Sequence, residues 1–136
     1  MFSSHRKGLM PPIRSVYRFS AGVEILTGIG IVAVPSLIME ALFNTPLAHP
    51  LIAIARLYGL ALVGLGLACW ERNNQIDPAF NAKVGICLYN ITAGLLLFNY
   101  GLKSVAPEQV LIIGGGFHFI LGMILLTDLG KLKFRS

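Results

Sequence analysis

Hydrophobic residues in this chain neither alternate nor repeat along one helix face; they fill four long runs separated by short polar stretches. The runs cover residues 16 to 39, 50 to 71, 82 to 102 and 107 to 128. Each is long enough, at about 20 residues, to cross the hydrocarbon of a bilayer as a helix. Val84 to Leu102 and Gln109 to Thr127 contain no Lys, Arg, Asp or Glu, whereas the interiors of the first two runs hold Glu24 and Arg56. The pattern predicts an all-α membrane protein, a bundle of four transmembrane helices with short loops. Residues 1 to 15 form a basic N-terminal arm and residues 129 to 136 a basic tail.

Local signals agree with these limits. Pro50 after His49, Asp77 followed by Pro78, and Pro107 followed by Glu108 all suit the first turn of a helix. Pro35 falls late in the first run and should kink or end it, leaving Ser36 to Leu42 as a bent segment at the interface.

Composition excludes a soluble domain. The 136 residues are 55% hydrophobic and 12% charged, with a mean hydropathy of +0.74, more apolar surface than one small core can hide. A net charge of +5 would point a soluble protein toward nucleic acid, but here the basic residues flank the apolar runs. Arg6, Lys7, Arg14, Arg18, Arg72, Lys83, Lys131, Lys133 and Arg135 fall on one side and only Lys103 on the other. This bias places both termini in the cytoplasm, with a bacterial inner membrane as the expected location. The first run is too long for a secretory signal and reads as an uncleaved span. The expected contacts are membrane lipids and other membrane subunits, and no nucleic acid.

Candidate chemistry is sparse. Cys69 and Cys87 lie inside apolar runs with no metal-ligand spacing, so neither a disulfide nor a metal site follows. Gly114 to Gly116 lacks the Lys-Ser/Thr pair of a phosphate loop. No nucleophile stands beside a base, and no catalytic residue is assigned. The glycines along the spans allow close helix approach.

Polar residues inside the spans carry the functional reading. Glu24, Asn90 and His118 fall near one depth on three different helices, and each is followed four residues later by glycine. With Tyr89 as a further hydrogen-bond partner, Glu24 and His118 form a candidate pair for handling protons or binding a quinone or lipid. The alternative is that these groups only hold the helices in register. Arg56 lies nearer the outer face. It would either pair with Glu40 or Glu108, or hold an anionic headgroup or a carbonyl near Tyr58, Asn99 and Tyr100. Tyr17, Phe43, Trp70, Phe98 and Tyr100 lie near span ends, where aromatic rings anchor at the interface.

The stretches "GIVAVPSLIMEALFNTP" and "IARLYGLALVGLGLACW" give the chain a resemblance to the DoxX-like group of small four-helix membrane proteins. The matching elements are Pro35 and Asn44 at the end of the first helix and Arg56 and Gly59 in the second. The resemblance implies a compact bundle and, for some relatives, association with membrane redox systems such as quinone-linked sulfur oxidation, several of them as accessory subunits. The expected function is therefore an accessory subunit of a membrane redox complex. The alternatives are a quinone- or lipid-binding oxidoreductase component and, less favoured, a small-solute carrier.

Overall fold

A computed structural model describes residues 13–44, 46–70, 80–103 and 109–133, and of residues 131–133 the backbone alone. Most of the N-terminal arm, the loop with Arg72, Asp77 and Pro78, the Pro107 to Glu108 start signal, and Arg135 lie outside the described residues. Among the described residues five helices form: α1 (Ile13–Ala33), α2 (Pro35–Phe43), α3 (His49–Cys69), α4 (Phe80–Lys103) and α5 (Gln109–Lys133). Four of them, α1, α3, α4 and α5, are long and apolar enough to span a membrane, and the chain is a helical membrane bundle.

The first hydrophobic run is two helices, and the one long and apolar enough to cross a membrane is Ile13–Ala33. Pro35 supplies no N–H, its ring clashes with the preceding turn, and it pushes Val34 out of the helical region. Val34 accordingly sits at φ −133°, ψ 59° and starts α2 with no side-chain cap. Asn44 ends α2 in the left-handed conformation, at φ 49°, and its N–H donates to the Glu40 carbonyl at 2.8 Å. The turn then leads into α3, where Pro50 occupies the first turn and needs no hydrogen-bond partner there.

The bundle is built from two tight pairs, α1 with α3 and α4 with α5, joined by looser contacts. Glycine makes each pair possible. A Cβ on Gly28 would sit 2.5 Å from the Gly59 carbonyl oxygen, and one on Gly59 would sit 2.7 Å from that of Gly28. In the other pair, a Cβ on Gly94 would lie 2.9 Å from the Gly115 carbonyl oxygen, and the reverse approach is also 2.9 Å. Backbones this close gain dispersion contacts that larger side chains would block, which is how helices associate in lipid.

Two apolar layers fill the interior. Val16, Tyr17, Ala21, Cys69, Ile86, Cys87, Leu121 and Leu125 form one near the basic end. Ile31, Ala55 and Leu62 form the other near the far end, where Ile38 and Met39 of α2 and Leu47 pack over them. Large apolar side chains point outward along every span, as at Leu26, which is 73% exposed. That outward face is what a lipid solvent accepts and water does not.

Candidate functional site

Between the two apolar layers lies a polar one. On α1 the buried residues Tyr17, Ser20, Ala21, Glu24, Gly28 and Ile31 recur every three or four positions and line the inner face. Helix α4 turns Lys83, Ile86, Cys87, Asn90 and Gly94 inward. Glu24 lies eleven residues into α1, Asn90 ten into α4, and His118 twelve before Gly130. At ~1.5 Å per residue all three sit about 15 to 18 Å from the basic end, close to the middle of a bilayer.

Asn90 is the hub. Its Nδ2 donates to the Ser20 hydroxyl at 3.0 Å and to the Ile86 carbonyl at 2.9 Å. A carbonyl can only accept, so the amide nitrogen must face Ile86 and the amide oxygen must face α5. There, Oδ1 lies 3.0 Å from His118 Nδ1. Because Oδ1 can only accept, His118 carries its proton on Nδ1 and, in the neutral ring, leaves Nε2 as an acceptor. Three helices from both pairs are thereby tied at one depth.

Glu24 stands beside this network without joining it. Oε1 is 3.9 Å from His118 Nδ1, near enough for charge to matter and too far for a hydrogen bond. The residue is 0% exposed, yet neither carboxyl oxygen has a hydrogen-bond partner. Buried polar groups are nearly always satisfied, so this carboxyl has unused bonding capacity.

The polar layer reaches the lipid on one side. The edge of the Tyr89 ring meets His118, with centroids 5.8 Å apart and planes at 88°. Its hydroxyl lies 3.0 Å from that of Tyr58 on α3, and Tyr58 is 43% exposed. The Tyr89 hydroxyl also lies close enough to the Glu24 carboxyl to interact with it, though not in hydrogen-bond geometry, and Tyr58 is within electrostatic range. On the opposite side, between α1 and α5, Phe19 and Phe117 pack edge to face at 6.0 Å, and Phe117 also packs on His118. The buried carboxyl therefore has apolar layers toward both ends, aromatic rings on one flank and two hydroxyls on the other.

Of the residues singled out in the sequence, Glu24, Tyr89, Asn90 and His118 come together, and Arg56 does not. Arg56 is exposed and, among the described residues, makes no ion pair; Glu40 is likewise exposed on α2, and Glu108 lies outside the described residues. Tyr58 meets Tyr89 and not Arg56, because the two α3 residues are two positions apart and face nearly opposite ways. Asn99 and Tyr100 line a separate cleft of about 430 Å³ with Leu96 and Lys103.

A second polar cluster lies near the basic end. The Tyr17 hydroxyl donates to Asp128 Oδ2 at 3.3 Å, Lys83 Nζ lies 3.8 Å from the same oxygen, and Nζ sits 5.1 Å over the Tyr17 ring. Tyr17 is only 1% exposed, so it is a core residue and not an interfacial anchor. Its place at i−7 from Glu24, with Ser20 between, is the sequence signal for one polar stripe on α1. Asp128 gave a weaker signal, an acid near the end of the fourth run at the depth of Lys83 in the third.

Comparison with known protein families, with curated proteins and with solved structures returns no match to this chain.

Proposed function

We propose that this protein is a small integral-membrane component of a redox system that binds a lipid-dissolved molecule of the quinone class at Glu24, Asn90 and His118. The observation that carries this reading is the fully buried Glu24 carboxyl with no hydrogen-bond partner, set behind a tyrosine pair that reaches the lipid face. Apolar layers toward both ends select against a solute arriving from water. A ligand coming sideways from lipid first meets the Tyr58 and Tyr89 hydroxyls, which suit a quinone carbonyl as donors. Glu24, when protonated, and His118 Nε2 then offer a hydrogen-bond donor and an acceptor to the oxygens of the bound ring.

Intramembrane ionisable groups are costly, and a buried carboxyl that no hydrogen bond satisfies is the kind retained for function. The DoxX-like resemblance supports the same class of ligand. Titrating a short-chain benzoquinone into the protein in lipid nanodiscs tests the reading. Saturable binding that weakens at least tenfold in His118→Ala and Tyr89→Phe is expected; binding identical to empty nanodiscs would reject it.

The accessory-subunit reading has its own support. Gly64 on α3 and Gly114 and Gly116 on α5 have open space where a Cβ would point, and such positions suit the close approach of another helix. Gentle extraction and native gels decide between them. Migration within a larger complex favours the subunit reading, and migration as a small homo-oligomer goes against it.

A further inference from the structure

We propose that the cleft beside Arg56 binds the phosphate of an anionic phospholipid in the leaflet at the far end of the bundle, the outer leaflet by the charge count. This site is separate from the Glu24 layer and does not rest on the function proposed above. The cleft has a volume of about 300 Å³ and is lined by Val34, Pro35, Ser36, Leu37, Ile52 and Arg56. It exists because Pro35 breaks the first hydrophobic run, so that α2 begins as a separate helix that packs beside both α1 and α3.

Arg56 lies seven residues into α3, about 10 Å below the far end of that helix. A guanidinium at that depth needs a counter-charge, and among the described residues no carboxylate is within ion-pair distance of it. The long arginine stem lets the charged head rise toward the headgroup level, where a lipid phosphate lies. The planar fork suits a phosphate by paired hydrogen bonds, and the Ser36 hydroxyl adds a donor in the same cleft.

The chemistry of the walls selects the source of the phosphate. Val34, Pro35, Leu37 and Ile52 offer an apolar surface to the upper part of an acyl chain, which a free ion cannot use. Net negative charge selects the lipid class. A zwitterionic lipid brings its own ammonium group and leaves the arginine less completely neutralised.

Native mass spectrometry of the protein in micelles doped with phosphatidylglycerol or phosphatidylcholine tests the site. The parent should retain one phosphatidylglycerol in preference to phosphatidylcholine. Arg56→Gln should weaken that retention about tenfold, the scale of a lost charge-assisted hydrogen bond, and Arg56→Lys should fall between. Equal retention of the two lipids by the parent, or parent-like retention by Arg56→Gln, would overturn the proposal. So would displacement of the lipid by an equimolar amount of inorganic phosphate, which would make the ligand a free anion. Arg56 is exposed, so its replacement removes little packing. Should Arg56→Gln fail to insert, the parent's lipid preference and the Arg56→Lys retention decide the matter.

Discussion

The two polar clusters of this bundle use similar residue types and differ in how completely they are satisfied. Near the basic end, Asp128 has a tyrosine hydroxyl and a lysine ammonium on one oxygen, and Lys83 lies over the Tyr17 ring. At mid-depth, Asn90 binds Ser20, Ile86 and His118, while the Glu24 carboxyl next to them has no partner in hydrogen-bond geometry and only His118 at 3.9 Å as a charge partner. Both clusters join α1 to the α4 and α5 pair, so either would serve to hold the bundle in register. Charges matched within the fold account for themselves structurally. A matched network with one unmatched carboxyl does not, and the surplus is what separates a binding site from a fastening.

Substitutions can break this contrast, and the largest effect belongs at the basic end. Lys83→Met removes the Lys83 cation from Asp128 and should destabilise the bundle by about 3 kcal/mol, as when one member of a largely buried pair is removed. The double variant Lys83→Met with Asp128→Leu should recover most of that loss, because an apolar pair replaces an ionic one at small cost. Unfolding by graded detergent denaturation measures both. Failure of the double variant to recover would show that the cluster does more than fasten helices.

A smaller loss is expected at the hub. Asn90→Leu leaves the His118 Nδ1–H without its acceptor and the Ser20 hydroxyl without its donor, at a cost of about 1 to 2 kcal/mol. The same denaturation curve reads it, and a cost near zero would mean that the hub carries little of the bundle's stability. Tyr58→Phe removes one hydroxyl at the lipid face and should cost about 0.6 kcal/mol, the average for a hydrogen bond between membrane helices. Its larger effect should fall on quinone binding, measured by titration in nanodiscs. Unchanged affinity would move the entry path away from the α3 and α4 seam.

The spans were legible because hydrophobic length is a direct physical requirement of the bilayer. The break at Pro35 was legible because a missing N–H cannot be hidden by packing. Its consequence, a separate α2 folded over the far end, depends on Ile38 and Met39 finding Ile31, Ala55 and Leu62, contacts that no local pattern encodes. At mid-depth the sequence placed Glu24, Asn90 and His118 at one level on three helices. It could not say that Asn90 takes the His118 bond and leaves Glu24 out, since that turns on less than 1 Å between 3.0 and 3.9 Å. Tyr17 and Tyr58 were misplaced for a related reason. Position near a span end, or near Arg56 in sequence, does not fix which way a helix is rotated, and in the folded bundle the glycine seams accompany that choice.

The central claim is that Glu24 is held for a ligand and not for the fold, and Glu24→Gln tests it most directly when stability and quinone affinity are measured on the same preparation. The substitution keeps shape and removes only the acid. Because the carboxyl makes no hydrogen bond in the folded protein, denaturation should move by no more than about 0.5 kcal/mol, while affinity for the short-chain quinone falls at least tenfold. A variant that loses stability and binds quinone as the parent does would contradict the account and make Glu24 one more fastening.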